Sequence, residues 1–281
     1  MQLIKPKQKD ALLLNDILSF ESETAFKVWW LGQSGFLLKW KGKYILFDPY
    51  LSDSLTVKYQ NTDKPHTRMS ELVIDPASLN FVDIVTSSHN HTDHLDADTL
   101  QPILKDNANV HFIVPEANRS FIVNRVGCDD NFPLGLNDGT SVVIDDFTIT
   151  GVPAAHNEVE RNEKGECKSM GFVVQFGEYA IYHSGDTLWF KRLEEILKPY
   201  DLDVAFLPIN GNKPERKVAG NLNAEEAALL GKEIGAGMVI PHHYHLFEFN
   251  TEDPALFEVQ CRKHKVNYRV LEIGEGVVIS K

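Results

Sequence analysis

Ser87-Ser88-His89-Asn90-His91-Thr92-Asp93-His94-Leu95-Asp96 follows directly on the apolar run Phe81-Val82-Asp83-Ile84-Val85-Thr86. Three imidazoles and a carboxylate fall within six positions. In an α-helix, residues two apart lie on nearly opposite faces, so His89 and His91 could not share one ion. Extended backbone puts both on one side. The preceding run reads as a buried strand, so the spacing predicts extended geometry through His91. Asp93 and His94 then leave the strand end together, placed to hold a second ion. Imidazole and carboxylate donors in this mixture suit Zn²⁺ or Mn²⁺ rather than Ca²⁺.

The elements around this stretch are legible from their patterning. Phe26 to Trp30, Gly35 to Trp40 and Tyr44 to Phe47 read as strands, with Lys41-Gly42-Lys43 as a tight turn. A short helix is expected over residues 11–24, and residues 51–80 read as polar and irregular. Further strands are expected near 81–88, 109–114, 141–152, 170–176, 179–184, 202–209, 237–241 and 276–280. Asn223 and Glu226 form a capping box ahead of a helix over 224–234. Asp253 as N-cap with Pro254 at the first helical position starts another, to about Lys263. No linker divides the chain, so residues 1–281 read as one domain, with 1–25 as an N-terminal extension.

The chain has 281 residues, 43% hydrophobic and 24% charged, with a net charge of −12. That is ordinary globular composition, enough for one large domain or two small ones, and such a surface repels polyphosphate backbones, which argues against long nucleic acid as the usual partner. Cys128, Cys167 and Cys261 are too widely spaced for a C-x-x-C site and fit free thiols in a reducing compartment. The opening residues lack the apolar core of a signal peptide, and no run approaches the ~18 apolar residues of a membrane span. A cytoplasmic protein with no membrane partner is the expectation.

Three more candidates share the local context of the opening motif. His156 follows the apolar strand ending at Val152, Asp186 follows Tyr179-Ala180-Ile181-Tyr182-His183-Ser184-Gly185, and His243 follows Met238-Val239-Ile240-Pro241-His242. Each is a metal-competent side chain where an apolar strand ends, a place that a rigid sheet can fix in space. Asp48 in Phe47-Asp48-Pro49-Tyr50 ends another strand, where a turn-forming Asp-Pro is the plain alternative. Trp29 and Trp30 face opposite ways, one into the core. His183 lies within its strand and reads as a buried, hydrogen-bonded residue.

With these residues in hand, the sequence resembles the metallo-β-lactamase fold superfamily. The H-x-H-x-D-H signature is met by His89, His91, Asp93 and His94, followed in order by His156, Asp186 in Ser184-Gly185-Asp186-Thr187, and His243. More narrowly it resembles the L-ascorbate-6-phosphate lactonase-like branch, on Trp29-Trp30-Leu31-Gly32-Gln33-Ser34-Gly35-Phe36, Asp48-Pro49-Tyr50-Leu51-Ser52-Asp53, His183-Ser184-Gly185-Asp186-Thr187 and Ile240-Pro241-His242-His243. The resemblance implies a four-layer αββα sandwich and two divalent metal ions per chain, Mn²⁺ or Zn²⁺. It implies one ion on His89, His91 and His156, the second on Asp93, His94 and His243, and Asp186 bridging both. His243 is preferred to His242 and His245 by the P-x-H spacing of the family pattern. Asp48 is implied to orient a ligand, and His245 to act as an acid or a supporting partner. The lactonase-like relatives also imply a homo-oligomer.

Two such ions can share a hydroxide whose parent water has its pKa lowered from about 15.7 towards ~7. Asp93 and Asp186 are the catalytic candidates, Asp93 to orient the hydroxide or take its proton. The family's diiron members carry a carboxylate where His91 stands, so hydrolysis is expected instead of electron transfer. Lys213 and Arg216, in a loop with glycines and a proline, are candidates to gather an anionic small-molecule substrate. Arg161 and Lys164 are a second source of positive charge, and Tyr244, Phe247 and Phe249 are candidate pocket walls. The first substrate class is a sugar-phosphate lactone or ester. The alternatives are a phosphodiesterase acting on cyclic or short nucleotides and, in another class, a non-catalytic metal-binding module.

Overall fold

A computed structural model describes residues 2–105 and 107–281. One sheet contains β1 (Ala25–Gly32), β2 (Gly35–Trp40), β3 (Lys43–Phe47), β4 (Ile84–Thr86), β5 (His111–Pro115) and β6 (Pro133–Leu136) in that order, with β13 (Gly276–Ser280) outside β1. The second sheet runs β7 (Ser141–Ile144), β8 (Phe147–Pro153), β9 (Met170–Phe176), β10 (Tyr179–His183), β11 (Val204–Pro208) and β12 (Met238–His242). The helices are α1 (Asp10–Ser19), α2 (Ser54–Tyr59), α3 (Ala97–Lys105), α4 (Arg119–Val126), α5 (Leu193–Leu197), α6 (Ala224–Glu233) and α7 (Pro254–His264).

The strands are nearly continuous in apolar residues because both faces are covered. Between the sheets, Phe36 of β2 meets Phe206 of β11 at 4.4 Å between ring centroids, and Trp40 meets Phe147 and Phe176 at 5.8 and 5.3 Å. Burying each such ring contributes about 1.5–3 kcal/mol, so the sheets are clamped face to face along their length. On the outside, α6 covers β11 and β12 and packs on α7. Mixed α/β layering with two stacked sheets is therefore observed as the sequence predicts.

Strand direction decides where the loops emerge. β3, β4, β5 and β6 pair in parallel, so their C-terminal ends share one edge. In the other sheet β10, β11 and β12 are parallel, and β8 and β10 each pair antiparallel to β9. The ends of β8, β10 and β12 therefore emerge together. Backbone bonds join the two edges: Met170 N–H donates to Ser88 O at 3.0 Å, and His243 N–H to Gln33 O at 3.0 Å.

Several elements differ from the sequence reading. The strand expected over 81–88 stops at Thr86, because Ser88 N–H donates to the Asp48 carboxylate at 3.1 Å and not to a neighbouring strand. His89 and His91 therefore do not sit on extended backbone. The chain curls, with His94 and Leu95 N–H both donating to His91 O, and this loop turns the two imidazoles to one side. The run over 141–152 is two strands, paired Ile144 to Phe147 across a tight turn at Asp145, whose φ of 50° is one that Asp tolerates. α1 ends at Ser19, where the buried Lys39 ammonium donates to Leu18 O at 2.9 Å. α2 lies inside the segment expected to be irregular, and β6 has no counterpart among the expected strands. Leu13 and Ile17 bury α1 in the same core as the sheets. No helix among the described residues is long and apolar enough to cross a membrane.

Gly185 marks how tightly the two edges meet. Its φ is +58°, and a Cβ there would lie 2.6 Å from Ser88 Cβ. Gly185→Ala is expected to cost at least ~1–3 kcal/mol by overpacking, measured as a lower urea midpoint at unchanged m value.

Candidate metal centre

The four strand ends converge on one cluster. His89, His91 and His156 offer ligand atoms within 4.8 Å of one another, as do His89, His94 and Asp186, and Asp93, His94 and His243. Asp186 lies among them: its Oδ1 is 3.3 Å from His94 Nε2, and its Oδ2 is 3.4 Å from His243 Nε2 and 3.7 Å from His156 Nε2. All seven donors predicted from sequence are brought together. Three buried atoms in the cluster, His89 Nε2, His94 Nε2 and Asp186 Oδ1, have no hydrogen-bond partner. A buried polar atom left unpaired costs about 1–3 kcal/mol, and three beside one another are what a cation would satisfy. The donors present fit divalent metal.

The outer nitrogens explain how the rings are aimed. His94 Nδ1 lies 2.7 Å from Asp48 Oδ2, His156 Nδ1 lies 3.0 Å from Gly220 O, and His89 Nδ1 lies 3.0 Å from Ser88 Oγ. Each contact leaves Nε2 facing the cluster, the arrangement by which outer partners fix tautomer and orientation. Asp48 also accepts from Thr86 Oγ1 at 3.0 Å and from the Ser88 hydroxyl. Its role is thus a tie between β3, β4 and His94, more than a turn former. Asp48 and His243 hold φ of 39° and 65°. Such backbone costs of order 1–3 kcal/mol and persists where surrounding bonds over-determine it.

Burial and charge set the protonation states. Burial, reinforced by the neighbouring imidazoles, pushes His89 well below its ordinary pKa, and burial outweighs the pull of Asp186 to hold His156 at about 4. Both rings are neutral at pH 7, the form that ligates metal. Burial works against charge on Asp93 and Asp186, yet His94 and His243 hold both carboxylates below the usual range. Reciprocally, and against burial, the two carboxylates raise His94 well above its ordinary value and His243 to about 9.

The remaining predicted residues are placed elsewhere. His245 lines a separate cavity with Tyr244, Pro254 and Leu271. Lys213 pairs with Glu252 at 2.7 Å, and Arg216 donates to Asn210 O and Thr251 O, so both pin their loop to the segment after β12. Arg161 is committed to Asp138. Trp29 and Trp30 are both buried, and Tyr244 is buried against Trp30 with centroids 4.2 Å apart and rings tilted by 30°, so of the three expected wall residues Phe247 and Phe249 line the cavity. His183 is buried, its Nε2 donating to Ser34 O at 2.8 Å. His242 faces the other way from His243, against Ser34 Oγ at 3.0 Å.

Two features escaped the sequence reading. Gln33, in the turn between β1 and β2, donates through Nε2 to Asp93 at 2.7 Å and contacts His243 at 2.9 Å. Its place in the Trp29–Phe36 stretch that carries the family resemblance is the signal that could have found it. The cluster also floors a cavity of about 470 Å³ whose cationic lining comes from Lys58, Lys64, Arg125 and Lys217.

Comparison with known proteins adds independent findings. A family model described as a beta-lactamase superfamily domain matches residues 27–243. A UPF0173 metal-dependent hydrolase of Rubrobacter xylanophilus is 30% identical over 257 residues, covering 89% of this chain and 95% of the relative. One from Caldivirga maquilingensis is 29% identical over 255 residues, covering 89% and 96%. Among solved structures, the metallo hydrolase Igni18 of Ignicoccus hospitalis aligns with a TM-score of 0.67 at 25% identity, covering 92% of this chain and all of that one. An isothiocyanate hydrolase from Delia radicum gut bacteria shares the fold, with a TM-score of 0.73 at 19% identity and coverage of 91% and 100%.

The Asp48 contact makes a measurable claim. Asp48→Asn keeps an acceptor for Ser88 and Thr86 but loses the charged partner of His94. It is expected to weaken metal affinity ~10–100-fold with the fold retained, read by chelator competition. Unchanged affinity would remove Asp48 from that role.

Proposed function

This chain belongs to the metallo-β-lactamase superfamily and is a metal-dependent hydrolase, and on that premise we propose a dinuclear enzyme acting on a small anionic molecule. The observation that carries the proposal is the convergence of seven donors, three of their buried atoms unpaired, with His91, Asp93, His156, Asp186 and His243 lining one cavity. His89, His91 and His156 would hold one ion, Asp93, His94 and His243 the other, with Asp186 shared. Five imidazoles and two carboxylates suit Zn²⁺ or Mn²⁺. Bound there, the two ions would supply Lewis acidity and lower the pKa of coordinated water towards ~7.

The chain's own residues do the rest. Asp93 is anionic, and Gln33 holds one of its oxygens, leaving the other to orient a water or accept its proton. Asp48 and Gly220 hold His94 and His156 so that neither ring can swing to take that proton. The sandwich shields one side of the site from bulk water, which strengthens each of these contacts. A sugar-phosphate lactone or ester is the substrate class we favour: a strained or activated carbonyl would face the donors, and its phosphate the cationic lining.

His91→Ala and Asp186→Ala are each expected to abolish turnover and reduce bound metal while far-UV circular dichroism stays that of the wild type. Wild-type rates in either variant would refute the centre. Chelation is expected to remove activity on a panel of lactones, phosphodiesters and phosphomonoesters, and added Mn²⁺ or Zn²⁺ to restore it. Turnover confined to phosphodiesters would move the substrate class and leave the centre standing.

A further inference from the structure

The cavity over the donor cluster has a second wall that hydrolysis itself does not use. Among the described residues, its only carboxylates are Asp93 and Asp186, both in the cluster. Lys58, Lys64, Lys217 and Arg125 also line it, and none of the four makes an ion pair among those residues. In a chain of net charge −12, these cations leave the cavity lining outside the cluster positive, Lys58, Lys64 and Lys217 on one side of it and Arg125 entering from α4. Lys64 Nζ donates to Lys217 O at 2.9 Å, joining the segment after α2 to the loop before α6. Lys58 and Lys217 are exposed, and Lys58 Nζ lies over the Tyr59 ring, 5.2 Å from its centroid, a contact that leaves its charge unneutralised.

The same wall carries packed rings. The His66 ring stacks on Tyr59 with centroids 4.2 Å apart and 22° between planes. Phe249 meets it edge-on at 4.5 Å and Phe247 at 5.2 Å. His66, Tyr59 and Phe249 are only half-buried, so ring surface is presented beside ammonium groups that no acid neutralises. Flat surface selects flat partners through stacking, and ammonium groups on flexible stems take anions as point charges.

We propose that this wall is the specificity subsite: it takes a flat ring of the substrate on Tyr59, His66 and Phe249, and a phosphate or carboxylate substituent on Lys58 and Lys217. The substrate class is thus a ring-bearing phosphate or carboxylate, with its scissile bond towards Asp186. That last placement rests on the hydrolase reading above, whereas the binding does not.

Phenylphosphonate and methylphosphonate, which carry the anion with and without the ring and have no hydrolysable bond, separate the two halves. Isothermal titration is run on metal-loaded protein and again after chelation, so that the wall is measured apart from the ions. Phenylphosphonate is expected to bind roughly three- to tenfold tighter than methylphosphonate in both forms. K58A/K217A is expected to weaken both by about tenfold or more with metal content unchanged. Phe249→Leu, which keeps apolar bulk but loses the flat face, is expected to erase the phenyl preference. Absent binding, equal affinities in the wild type, an unaffected lysine variant, or a preference that survives Phe249→Leu each overturns the subsite. Failure of the wild type to hold metal would instead overturn the dinuclear reading, and the chelated titrations would still decide this one.

Discussion

Burying carboxylates at the rim of an apolar sandwich is the constraint on which this molecule turns. A carboxylate withdrawn from water needs full hydrogen bonding or opposite charge, or it will not remain ionised. Asp48 and Asp186 meet that demand differently. Asp48 accepts from Thr86, from both the amide and hydroxyl of Ser88, and from His94, which leaves it closed. Asp186 has one oxygen with no hydrogen-bond partner and stands among imidazoles. The first is therefore a structural tie, and the second is an open ligand. The same test separates His94, tied on one nitrogen and open on the other, from His183, whose Nε2 is committed to Ser34 O and whose Nδ1 accepts from Gly185 N–H.

The sheets supply the rigidity that such a cluster needs. Parallel pairing sends the ends of β3 and β4 to one edge and those of β10 and β12 to the facing one, where the shared antiparallel partner β9 brings the end of β8 as well. Backbone bonds from Met170 to Ser88 and from His243 to Gln33 then lock the edges together. Left-handed backbone at Gln33, Asp48 and His243 is tolerated because these bonds leave the chain no other path. Small displacements would separate the donors, so the close approach at Gly185 is as much a part of the centre as the ligands.

Charge divides along similar lines. Lys213 and Arg216 look from sequence like an anion-gathering pair, yet Glu252, Asn210, Asn250 and Thr251 occupy them. Lys58 and Lys217, unremarkable in the sequence, line the cavity with no acid paired to them, Lys58 lying over the Tyr59 ring. A cation's availability is a property of its neighbours, and those neighbours come from other parts of the chain.

Read alone, the sequence determined the donor types and the strand ends that carry them, because strand periodicity and the H-x-H-x-D-H spacing are local. It likewise determined the capping box at Asn223 and Glu226, a contact between residues three apart. Tertiary structure decided what local spacing cannot encode. It ended β4 at Thr86 by giving the Ser88 N–H an acceptor forty residues upstream, so a curl replaced the expected extended backbone at His89 and His91. It turned His243 inward and His245 away, brought Gln33 onto Asp93, and built the aromatic and cationic wall from three separate segments. Each of these depends on which distant group reaches a buried polar atom first, and only the folded chain brings those groups within reach.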